Sequence, residues 1–173
     1  MSDPDRATRG WNARLRDQVD VHYRPMFGPR MAGLTDAEYL WEPVPGAWSV
    51  RPRCTSTSAA PIGAGDLVRD DAAGEPEPAP ATTIAWRVAH LTVECLSMRT
   101  MSHLGGPAVH WETWEHTDRA DEGLAQLDTA YDAWSAGVES LGYDGLLWPC
   151  GPAEGPFAEA VRDLYRATTE ESR

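Results

Sequence analysis

His90 is the residue whose type and surroundings point most directly to chemistry. It lies in Thr82-Thr-Ile-Ala-Trp-Arg-Val-Ala-His90-Leu91, which reads as the capped start of a core helix. Ile84, Val88, Leu91, Cys95 and Met98 alternate at four- and three-residue spacing and predict an apolar seam. His90 falls beside that seam, on a flank shared with Trp86, Arg87, Glu94, Ser97 and Met101. A histidine so placed is where a helix bundle can hold a metal ligand. Glu94, one turn on, can orient the imidazole or join a metal shell. The alternative is a structural or surface histidine, because one imidazole and one carboxylate do not close a three-ligand catalytic site.

Other candidate groups carry less. His103, His110, Glu112, Glu115 and His116 cluster in sequence, but HEXXH is absent and the spacing matches no ligand motif. A solvated loop anchored by Trp111 and Trp114 is the favoured reading. His22 lies on the apolar face of the first helix and reads as a core histidine. The three cysteines, Cys54, Cys95 and Cys150, form no CxxC pair, which disfavours a disulfide framework or a cysteine zinc site. Cys95 falls on the apolar seam and reads as core; Cys150 sits in a Pro-Gly turn. No GxSxG is present, and Gly63-Ala-Gly65 is too sparse for a phosphate loop.

The elements that position these residues are helical. Trp11, Leu15, Val19, His22 and Met26 predict a helix within 11–33, kinked or ended by Pro25. Thr35-Asp-Ala-Glu38 is a capping box that starts a short helix running through Trp41. Residues 42–81 are rich in Ser, Thr, Gly, Ala and Pro and predict a long loop, with Trp48 and Val50 tucked against the bundle. The seam helix spans 83–103. Asp118 is positioned to cap a helix over 119–141, in which Leu124, Leu127, Tyr131, Trp134, Val138 and Leu141 repeat. A turn-rich connector over 149–156 precedes a short helix at about 157–169, with no convincing strand anywhere. The expected fold is all-α: one domain over 1–173, an antiparallel four-helix bundle with a shortened last helix and a long 42–81 loop.

The chain has 173 residues and a net charge of −12. That charge repels phosphate backbones and disfavours general nucleic-acid binding. No apolar run is long enough for a membrane span, and Met-Ser-Asp-Pro-Asp-Arg lacks a signal-peptide core, so the expected location is the cytoplasm. All fifteen basic residues are arginine; with only Ile62 and Ile84 as isoleucines, this is the bias of a GC-rich coding sequence. The eight tryptophans are read as core anchors, with a pocket wall as the alternative.

Four stretches carry a family resemblance: Gly33 to Arg53, Thr83-Ile-Ala-Trp-Arg-Val-Ala-His-Leu91, Met98-Arg-Thr-Met-Ser-His103, and Cys150-Gly-Pro-Ala-Glu-Gly-Pro-Phe157. With the helices between them, the chain from 11 to 166 resembles the DinB-like superfamily, in the form common in actinobacteria. The resemblance implies a four-helix bundle, often a homodimer. It also implies a divalent metal (Zn, Ni or Fe) held by three histidines, and enzymes that use low-molecular-weight thiols such as mycothiol on small-molecule substrates. His90 matches the second-helix ligand. The last-helix ligands have no counterpart, because no histidine follows His116. The expected function is therefore a metal-dependent enzyme of the thiol transferase or isomerase type, with His90 as metal ligand. The competing class is a non-catalytic bundle that binds a ligand or a second copy of itself.

Overall fold

The computed structural model describes residues 4–74 and 76–146; the expected connector at 149–156 and helix at 157–169 lie outside them. The described chain is mostly helical. Helix α1 spans Pro4–His22, and Pro25 does not end it. The ring removes an α-helical hydrogen bond, and the backbone passes through a π-helical turn, Tyr23–Phe27, into the short helix α2, Gly28–Met31.

Thr35 then caps α3, Asp36–Tyr39, with the predicted box. The Glu38 amide donates to Thr35 Oγ1, while the Thr35 amide donates to Glu38 Oε2 at 3.0 Å.

The 42–81 stretch is more ordered than a loop. Strand β1, Val50–Pro52, pairs antiparallel with β2, Leu67–Arg69, in the register Val50↔Arg69. Three-residue strands are too short to show periodicity, which hid them in the sequence. Val50 is buried as expected, and the Trp48 amide donates to the Ala81 carbonyl at 2.8 Å. Those contacts fasten the start of the segment to its end.

Thr83 caps the seam helix, accepting from the Trp86 amide. The helix runs as α4, Ile84–His90, a π-helical segment, Leu91–Ser97, and α5, Met98–Leu104. Gly105, left-handed at φ 70°, closes it. The buried face lies off the predicted seam from the first turn of α4 onward. Ala85, Val88, Ala89, Thr92, Val93 and Thr100 are buried, whereas Leu91 is exposed.

Helix α6, Ala120–Ser140, packs most extensively on that π segment, and α7, Gly142–Leu146, returns to α1. Asp118 does not cap α6. The first free amide, Ala120, donates instead to Asp36 Oδ1 of α3 at 2.8 Å, a cap supplied across the fold. Antiparallel α1 and α6 are joined by the Asn12 side-chain amide donating to the Val138 carbonyl, the Tyr131 hydroxyl donating to Asp20, and the Tyr23–Tyr131 stack at 4.0 Å. The α4–α5 helix instead runs in the same direction as α6. Leu104 meets Gly137 near the ends of the two helices, and Ala85 and Ala120 share the core near their starts. The 105–119 link travels back along α6 to make this possible, so the described helices are not uniformly antiparallel.

Candidate functional site

The site begins with Arg69 at the end of β2. It is 2% exposed, although it carries a full positive charge. The hairpin register turns it inward toward the seam helix. Its guanidinium grips Glu94 with two prongs: Nη1 donates to Oε2 at 2.7 Å, and Nη2 donates to Oε1. Nη2 also donates to Asp71 Oδ2 at 2.6 Å, and Cζ lies 5.0 Å from the Trp86 ring centre. A buried cation needs such partners, because unpaired it would carry a desolvation cost of several kcal/mol.

The neighbouring carboxylate anchors the hairpin that delivers Arg69. Asp70 is buried and accepts from the Ser49 amide, Arg51 Nε and the Ser56 hydroxyl. Its carbonyl accepts from Trp86 Nε1 at 2.8 Å, tying the hairpin to α4.

His90 sits against this cluster. Its ring stacks on Trp86 at 5.1 Å with an 18° interplanar angle. Nδ1 lies 3.1 Å from Glu94 Oε2 and 3.2 Å from Arg69 Nη1, and Nε2 lies 3.6 Å from Cys95 Sγ. The side chain is 41% exposed, so one edge of the ring faces solvent. Cys95 at Nε2 and Glu94 at Nδ1 raise the imidazole to about 9, against the effect of burial. At neutral pH the ring is an imidazolium that donates Nδ1–H to Glu94 and presents Nε2–H toward Cys95. Burial of Glu94 is overcome by His90 and Arg69, which hold its carboxyl below the usual range.

His116 approaches from the 105–119 link. Its ring edge packs on Gly63, where a Cβ would collide with Cδ2 and where φ is +123°. Both ring nitrogens are buried without a hydrogen-bond partner. Burial, with Arg69 as a second cause, pushes the imidazole down to about 4, so His116 is neutral.

The sequence reading placed Trp86 and Glu94 beside His90, and they are there. It did not bring in Arg69 or Asp71, which come from the segment read as loop. Cys95, read as core, is only partly buried and faces His90. His22, read as core, is exposed, as are His110, Glu112 and Glu115.

Among the described residues no group of three or more His, Cys, Asp or Glu side chains is arranged to hold a metal ion. A cation already stands beside His90 and Glu94: the Arg69 guanidinium, bonded to Glu94 and 3.2 Å from Nδ1. Both Glu94 oxygens are already engaged by that guanidinium, so the carboxylate is not free to join a metal shell. These residues do not fit the three-histidine metal set that the resemblance implies.

A cavity of about 580 Å³ lies further along the same helix, lined by Ser97, Thr100, Trp114, Gln126 and Ala130 among others. None of the His90 cluster lines it, so this cavity and the His90 cluster are separate. No helix among the described residues is long and apolar enough to cross a membrane. No protein-family model, curated protein or solved structure matches the chain.

Proposed function

We propose that this chain is a small-molecule enzyme of the thiol-using type in which His90 works as a general acid–base, without a metal at that histidine. The observation that carries the reading is the fixing of one partly exposed imidazole at both nitrogens: Glu94 at Nδ1, Cys95 at Nε2. Glu94 is in turn held by the buried Arg69. A general acid must be protonated at working pH and oriented before substrate arrives. The shift of His90 to about 9 meets the first condition, and the Trp86 stack with the Glu94 bond meets the second. Glu94 and Arg69 act through His90 and are positioning residues.

The thiol-using class comes from the resemblance, and so does the four-helix bundle that a fourth helix would complete. The test is an NMR titration of the His90 ring in wild type and Glu94→Gln. A wild-type midpoint near 9 that falls in Glu94→Gln supports the reading; an ordinary midpoint near 6.5 in both overturns it.

A second reading, self-association without catalysis, is favoured by one observation. Trp11, Leu15, Val19 and Met26 are large apolar residues left exposed on or just after α1. Light scattering on wild type and Leu15→Glu tests it: a dimer that becomes a monomer supports this reading, and a wild-type monomer removes it.

A further inference from the structure

We propose that Cys95 is a nucleophile of this site, forming an S-acyl intermediate with a small activated ester or thioester. The inference rests on the acid–base reading of His90. Three observations carry it.

The first is the winding of the helix. In an α-helix, residues five apart point roughly 140° away from each other. Between His90 and Cys95 the backbone is π-helical over Leu91–Ser97, and i,i+5 neighbours then stack. Cys95 Sγ reaches 3.6 Å from His90 Nε2. Such local π-winding costs backbone regularity and recurs at functional sites.

The second is the order of the groups. A nucleophile, an imidazole and a carboxylate follow one another: Sγ to Nε2, then Nδ1 to Glu94 Oε2 at 3.1 Å. This is the order in which a nucleophile and an imidazole hold a proton between them while a third group orients the ring. Here the carboxylate is itself pinned by the two-pronged Arg69 contact.

The third is access. The His90 side chain is 41% exposed and Cys95 is only partly buried, so a small electrophile can meet the sulfur beside the ring. A cysteine that merely packs has no need of an oriented imidazole at its sulfur.

The chemistry balances without an oxidant. The Cys95 sulfur attacks the acyl carbon, leaving the proton of the Sγ–Nε2 contact on the imidazole. The bond from that carbon to the leaving oxygen or sulfur breaks, and the leaving group takes the Nε2 proton. Neutral His90 then takes a proton from water as the water oxygen attacks the S-acyl carbon. The carbon–sulfur bond breaks, a carboxylic acid departs, and the proton of the Sγ–Nε2 contact is restored. Net, one ester and one water give one acid and one alcohol or thiol.

The test treats the full chain with p-nitrophenyl acetate and follows intact mass and peptide maps at early times. The expected result is one acetyl group on Cys95. It should be absent from Cys95→Ala and form at least about tenfold more slowly in His90→Gln. If His90→Gln loses the wild-type circular-dichroism spectrum, Glu94→Gln takes its place, since it removes the charge that orients the ring and keeps a side chain of the same size beside Arg69, its fold being checked by the same spectrum. Acetylation confined to Cys54 or Cys150 overturns the proposal, as does a Cys95 rate unchanged in both variants. If Cys95 stays unmodified while His90 titrates near 9, the nucleophile assignment fails and the acid–base reading stands. If His90 titrates at its ordinary value, the acid–base reading fails and this inference with it.

Discussion

Cys95 Sγ and His90 Nε2 lie 3.6 Å apart because the helix between them is π-wound. Thr92 and Val93 within that segment are buried, and the segment packs on α6. One local departure from α-geometry therefore sets the reach of the histidine to the sulfur five residues on.

Arg69 and Glu94 should be strongly coupled. Glu94→Ala leaves a guanidinium that is 2% exposed with Asp71 as its remaining carboxylate partner. The expected loss is about 3 kcal/mol in chemical denaturation, because breaking a buried pair strands one charge. The double variant Arg69→Met, Glu94→Leu should lose less than the two single losses summed. Strict additivity would show that the two side chains do not form a unit.

His116 should make the fold acid-sensitive. Its folded value, about 4, lies below the unfolded value of about 6.5. Between those values the unfolded chain binds a proton that the folded chain does not. Its contribution is therefore fully present above about pH 6.5 and is lost as pH falls toward 4, with a magnitude on the order of 2 kcal/mol. Urea denaturation at pH 7 and pH 5 should show this slope in wild type, and a weaker one in His116→Gln.

Gly123 should not tolerate a side chain. A Cβ there would collide with the ring and hydroxyl of Tyr39, which is 1% exposed in the core. Gly123→Ala gains helix propensity yet should lower stability by about 1–3 kcal/mol through overpacking. A melting temperature at or above wild type would contradict the close α3–α6 contact.

Chelation should leave the His90 cluster unchanged. Because Arg69 stands beside His90 and Glu94, dialysis against EDTA should alter neither the melting temperature nor the His90 titration. Near-stoichiometric metal that is lost in His90→Ala would contradict the account.

What could be read from the sequence was what local chemistry determines. The Thr35–Glu38 box and the Thr83 cap are side chains bonding to amides three residues away, and both appear where expected. Trp86 and Glu94 share the flank of His90 because they are one helical turn from it. What escaped depends on distant chain or altered winding. Asp36 caps α6 from 84 residues away, so no reading near Asp118 could have found it. Arg69 is delivered by a strand of three residues inside a Gly- and Pro-rich stretch. Its one sequence trace is Arg69-Asp-Asp71, a cation directly followed by two carboxylates. Cys95 was hidden by the assumption of α-helical spacing, and nothing in Leu91–Ser97 announces a π-turn.

The most direct test of the account is the ring titration of His90 by NMR, in wild type and in Cys95→Ser. The raised value owes most to Cys95 and next to Glu94. Its sign also fixes a stability effect: the contribution is full below about pH 6.5 and is lost as pH rises through about 9. The account predicts a wild-type midpoint near 9 and a clearly lower one in Cys95→Ser. A midpoint near 6.5 in both proteins would contradict it.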